Sequence, residues 1–170
     1  DVLRHFEELP DQQIVENPWL GVPYALVKAF VNPSGDVERI LQKSEQGLVY
    51  LENTAFKQRL ISSLDGIRAY VAWLKGEADL ALRIVHRAMD NLPKNDRMTH
   101  AQLLNLEGLA YKLQLRLPEA NQSFEAALLA GQSMAGLFPA MVNCNLVSAQ
   151  FLQGRLRQAY SICQSILSLA

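Results

Sequence analysis

The chain has 170 residues, 49% of them hydrophobic and 19% charged, with a formal net charge of −1. That balance belongs to a folded chain long enough for one ordinary core and excludes a disordered segment. Lysine and arginine are scattered rather than clustered, and no apolar run approaches the roughly 20 residues that span a bilayer, so nucleic-acid binding and membrane spanning are not expected of it.

Residues 1–17 predict two short helices broken at Pro10. Pro18 follows Asn17, which suits a first-turn proline behind a capping side chain. The stretch PWLGVPYALVKAFV (18–31) is apolar nearly all round and predicts a helix buried on more than one side. Asn32-Pro33-Ser34-Gly35 reads as a turn, and Asp36 as the N-cap of DVERILQKSEQGLVYL. These two helices form a first hairpin, about 18–52.

A second hairpin spans about 55–92. Leu60, Ile61, Leu64, Ile67, Val71 and Leu74 face inward on its first helix, which Gly76 closes. Ala81, Ile84, Val85, Ala88 and Leu92 make one stripe at helical period on the second, and Pro93 stops it. The third hairpin, about 96–130, carries Leu103, Leu106, Leu109, Ala110 and Leu113 inward, and Pro118 opens its return helix. The fourth, about 134–170, places Met141, Leu146, Val147, Ala149, Phe151 and Leu152 inward, turns at Gly154-Arg155, and returns with Ala159, Ile162, Cys163 and Ile166. No window alternates as a half-buried strand would.

Three of these stretches can be laid over one another: GEADLALRIVHRA from Gly76, LRLPEANQSFEAA from Leu115 and GRLRQAYSICQSI from Gly154. Ala81, Ala120 and Ala159 recur at an interval of 39 residues, followed at the same interval by Ala88, Ala127 and Ile166. A fixed period in this range predicts a stacked repeat protein. Alanine at the first set lets helices approach closely; a larger residue there overpacks the contact at about 1–3 kcal/mol. Gly108, Tyr111, Ala120, Phe124 and Ala127 follow the tetratricopeptide pattern, with longer helices than its usual 34-residue unit. The expected fold is all-α: a right-handed superhelix (an α-solenoid) of antiparallel hairpins, forming one domain over 1–170.

The motifs for chemistry are poor. Gly131-Gln132-Ser133-Met134-Ala135-Gly136 resembles a nucleophile elbow but lacks glycine at 135 and a strand leading in. His5, His86 and His100 have no ligand spacing, and Glu7-Glu8 point to different sides of a helix. The sequon Asn121-Gln122-Ser123 falls inside a helix. Cys144 and Cys163 read as small buried thiols suited to a reducing cytoplasm, where the chain is expected to reside. No catalytic residue, metal site or cofactor is predicted.

A binding surface is better supported. Stacked hairpins line their concave face with their first helices. In the tetratricopeptide frame the outward positions are Gly66, Tyr70 and Trp73, then Gln102, Asn105 and Lys112, then Met141, Cys144 and Ser148. Tyr70 and Trp73 can stack on a sugar or clamp a peptide, with Gln102, Asn105, Lys112 and Ser148 supplying polar contacts. Trp19 and Tyr24 are expected to pack the first hairpin instead.

The segments LEGLAYKLQLRLPEANQSFEAAL (106–128) and NLVSAQFLQGRLRQAYSICQSIL (145–167) resemble the helical-repeat region of MalT-like, LuxR-type transcriptional regulators. The opening, HFEELPDQQIVENPWLGVPYALVKAF (5–30), is similar to the lead-in of those repeats. The resemblance is strongest at 1–30 and 100–165 and weakest at 36–60. It implies a sensing and self-associating module, with a P-loop NTPase and a DNA-binding helix-turn-helix on either side of it in the parent protein. In that frame a small-molecule inducer or a protein partner occupies the concave face. The first residue is not Met, and the helical pattern runs on to Ala170, as expected for a piece of a longer protein. The competing expectation is a freestanding tetratricopeptide adaptor that binds a peptide.

Overall fold

A computed structural model describes residues 10–32, 35–52, 54–134 and 136–167, and no strand occurs among them. The helices are α1 (Asp11–Glu16), α2 (Gly21–Val31), α3 (Val37–Leu48), α4 (Ala55–Leu74), α5 (Ala78–Asn91), α6 (Arg97–Leu113), α7 (Leu117–Ala130), α8 (Leu137–Leu152) and α9 (Leu156–Leu167), with a 3₁₀ turn at Pro18–Leu20. The first helix expected before Pro10, with His5, Glu7 and Glu8, lies outside the described residues.

From α4 onward each helix packs on the next, most extensively α4 on α5 and α6 on α7. Contacts also join α2 to α4, α4 to α6 and α6 to α8. These four helices therefore lie side by side as one row. The 3.6-residue period of apolar positions decides which face of each helix turns inward. Ala81, Ala88, Ala120, Ala127 and Ala159 are all buried, and Phe124 is fully enclosed.

The turns between α4 and α5, α6 and α7, and α8 and α9 are built alike. Gly76, Leu115 and Gly154 stand at φ 81°, 60° and 73°. In each case the next residue's N–H reaches back five residues to a carbonyl: Glu77 to Ala72, Arg116 to Tyr111, Arg155 to Gln150. This satisfies a carbonyl the helix end leaves over. Leu115 does so with a side chain in left-handed backbone, which costs roughly 1–2 kcal/mol relative to glycine.

At the other end, α1, the 3₁₀ turn and α2 press onto α3 through two glycines. A Cβ at Gly47 would stand 2.2 Å from the Val15 carbonyl oxygen, and one at Gly21 would stand 1.6 Å from Ser44 Oγ. Ser44 is itself buried and donates to the Ile40 carbonyl at 3.1 Å. Direct packing of α3 on α4 is thin. Arg68 on α4 bridges it, reaching Glu38 at 2.9 Å and Glu45 at 3.0 Å on α3, and Asp65 ties α4 to Arg87 of α5 at 2.7 Å.

Several expectations are corrected by packing. The helix expected over 18–31 is a 3₁₀ turn at Pro18–Leu20 followed by α2, and Asn17 makes no cap hydrogen bond; its amide donates to the Gln13 carbonyl at 3.4 Å. Only one face of α2 is buried (Tyr24, Ala25, Ala29), while Trp19, Leu26, Phe30 and Val31 are exposed. The reason is that, among the described elements, α2 packs chiefly on α3, α4 and the 3₁₀ turn. Asp36 makes no cap hydrogen bond; its carboxylate pairs with Arg39 at 3.5 Å. Met141, Phe151 and Leu152, expected inside, are exposed: Met141 faces an open cavity, and no described helix covers Phe151 and Leu152 on the far side of α8 and α9. Leu74 and Leu113, near the helix ends, are also exposed.

Candidate ligand-binding groove

Residues of α2, α4, α6 and α8 enclose an open cavity of about 400 Å³. That size lies within the range of small-molecule sites. Its walls bring together Tyr70, Trp73, Gln102 and Asn105, four of the six predicted site residues, with Gly66 and Met141 from the same outward set. Gly66 matters here because its missing side chain lets Leu103 of the neighbouring helix come close: a Cβ would stand 3.3 Å from Leu103 Cδ2.

One wall is aromatic. Tyr70 and Trp73, one helical turn apart on α4, stack with ring centres 5.6 Å apart, and Phe30 of α2 lies 5.2 Å from Tyr70. Phe30 and Leu26, counted among the exposed apolar residues of α2, line this cavity. Burial raises the Tyr70 pKa above the usual phenol value, so the hydroxyl stays neutral at any physiological pH. On the other side the amide of Asn145 (α8) donates to Asn105 Oδ1 (α6) at 3.1 Å, and Asn105 is only 5% exposed. Asn145 and Phe138, absent from the sequence-based set, also line the cavity. Nothing in the sequence marked Asn145, because its pairing with Asn105 depends on how α6 and α8 are laid together.

Lys112 and Ser148 do not line the groove. Lys112 Nζ donates to Ser148 Oγ at 3.5 Å, and burial pulls the ammonium pKa below its ordinary value. Cys144 is likewise outside the lining, and the expectation of a buried thiol fails: Cys144 is exposed and Cys163 half-buried. Both lie on α8 and α9, whose outer side has no neighbour among the described helices. Tyr24 is buried as expected, whereas Trp19 is half-exposed.

Elsewhere, Ser123, Glu107 and His86 supply the residue types of a hydrolytic triad in the wrong order. Ser123 Oγ donates to Glu107 Oε2 at 2.7 Å, and His86 Nε2 lies 2.8 Å from Glu107 Oε1. The carboxylate sits between the other two, so the imidazole cannot take the serine proton. The arrangement ties α5, α6 and α7 together. Asn121 of the sequon is buried and donates to Gln153 Oε1 at 2.9 Å, which leaves no access for a glycan. No group of three metal-binding side chains occurs among the described residues, and no described helix is long and apolar enough to cross a membrane.

No family model, curated protein or solved structure matches this chain.

Proposed function

We propose that the chain is a non-catalytic sensing module, and that the groove between α2, α4, α6 and α8 is its binding surface. The observation that carries this reading is the convergence of Tyr70, Trp73, Gln102 and Asn105, chosen as outward positions from the sequence, on one cavity. Like turns at Gly76, Leu115 and Gly154 support the α-solenoid with its 39-residue period, and so does the row formed by α2, α4, α6 and α8. The resemblance of 1–30 and 100–165 to MalT-like, LuxR-type regulators supports a place in an ATP-dependent, cytoplasmic transcriptional regulator. In such a protein an occupant that prefers one curvature of the row shifts the balance between resting and self-associating forms, by no more than its differential affinity.

Self-association belongs to the same reading, because Phe151, Leu152, Leu156 and Tyr160 leave an apolar face on α8 and α9. Sedimentation is expected to report dimers or larger species at high concentration; a strict monomer would count against it. The freestanding adaptor is favoured by one feature, that the groove is open and crosses four helices, as an extended peptide requires.

The coding sequence on either side of this segment decides between the two. A P-loop domain upstream and a helix-turn-helix downstream support the regulator, and the lack of both removes it. For the groove itself, thermal-shift screening of small metabolites and peptides is expected to yield an occupant whose affinity falls at least tenfold in Trp73→Ala, with helicity by circular dichroism retained. Undiminished binding in that variant would remove the groove as the site.

A further inference from the structure

The groove carries a chemical signature beyond its shape. None of its lining residues is ionised at neutral pH: they are aliphatic, aromatic, hydroxyl or amide side chains. A charged occupant would leave water with no counter-charge to meet it, which is strongly unfavourable. Two of the lining hydroxyls are already spent inside the protein, Ser62 on the Ala88 carbonyl at 2.9 Å and Thr99 on Asp96 at 3.1 Å.

The Asn105–Asn145 pair is different. One amide hydrogen bond joins them, and among the described residues the second donor and acceptor, Asn105 Nδ2 and Asn145 Oδ1, have no other partner. They leave a donor and an acceptor on two hydrogen-bonded neighbours, in a lining that is mainly apolar but also carries Gln102 and Ser63. A ligand group with an adjacent acceptor and donor satisfies both, as a carboxamide or lactam does. The stacked Tyr70 and Trp73 rings line the same cavity and give it an aromatic wall suited to a flat ring.

We infer that the groove takes an uncharged, largely apolar molecule with a flat ring system and a carboxamide-like edge, the ring against Trp73 and Tyr70 and the edge on Asn105 and Asn145. The inference rests on the groove being the binding surface. Three probes that share one ring system test it: 2-naphthamide, its N,N-dimethyl derivative, which lacks the donor, and the anion 2-naphthoate. Each is titrated into the ¹⁵N-labelled chain, with amide shifts followed by NMR.

The expected result is shifts confined to groove residues. 2-Naphthamide should bind about threefold to tenfold tighter than the dimethyl amide, the contribution of an added hydrogen bond. It should bind at least tenfold tighter than naphthoate. Asn145→Ala should make the two amides equal while leaving the dimethyl amide unchanged. If naphthoate or the dimethyl amide binds in the groove as tightly as 2-naphthamide, the ligand class is wrong and the groove reading survives. If none of the three shifts groove residues, both fall. The comparison of the probes on the unaltered chain decides the matter even where Asn145→Ala is too unstable to titrate.

Discussion

Phe124→Ala is expected to lower unfolding free energy by about 3–5 kcal/mol, measured by urea denaturation. Phe124 is completely buried and, among the described residues, is the largest of the fully enclosed side chains. Its ring, on α7, lies among Leu109 of α6 and Val142, Leu146 and Ala149 of α8, so removing it opens a cavity where three helices meet. The cavity cannot collapse easily, because alanines at 120, 127 and 149 already hold the helices close. Gly108 supplies the converse test. A Cβ there would stand 2.5 Å from Phe124 Cε1 and 2.6 Å from Cδ1. Gly108→Ala should therefore cost about 1–3 kcal/mol from overpacking, against a gain of about 1 kcal/mol in helix propensity. In a Phe124→Leu background that penalty should shrink or change sign. Double-mutant coupling below about 0.5 kcal/mol would show that the two side chains do not share the space ascribed to them.

Asp96→Ala should cost about 2–4 kcal/mol by the same measurement, from a lost cap together with an orphaned buried hydroxyl. Asp96 is only 6% exposed and stands at the start of α6. Its Oδ1 accepts from the Thr99 backbone N–H at 3.1 Å, its Oδ2 from the Thr99 hydroxyl at 3.1 Å, and Arg59 of α4 pairs with it. Thr99 is 4% exposed, so its hydroxyl meets little water when the carboxylate is gone. Asp96→Asn keeps an oxygen for the cap and should recover most of the loss. If Asn is as destabilising as Ala, the Arg59 ion pair rather than the cap holds this end of α6.

Most helix boundaries were readable because local groups set them. Pro93 ends α5 near where it was expected, with Leu92 already extended, and Gly76 and Gly154 take the left-handed turns that glycine permits. Asp96 caps α6 because its carboxylate needs only a backbone three residues on. Thr54 caps α4 in the same local way, accepting from the Lys57 N–H at 3.4 Å, and the apolar pattern marks neither Asp96 nor Thr54 as a cap. Asn17 and Asp36 are residue types that cap, yet each found another partner, and residue type alone does not say which partner wins.

What lay beyond reach was burial on a second face. Trp19, Phe30, Phe151 and Leu152 belong to apolar stretches, and whether such residues are covered depends on which helix comes alongside, not on their own neighbours in sequence. Lys112 and Cys144 share the outward frame with Tyr70 and Asn105 but miss the groove, since small rotations of a helix decide which of its outward positions converge.

Helical structure, the positions of most helix ends and the small residues at the closest contacts can be read from residue order alone, because hydrogen bonding within a turn and the 3.6-residue period are local properties. Which side chains meet across α2, α4, α6 and α8 is set by how the helices pack. The groove, the Asn105–Asn145 pair and the open faces of α2, α8 and α9 all follow from the angles and spacing between helices, which depend on side chains far apart in the chain.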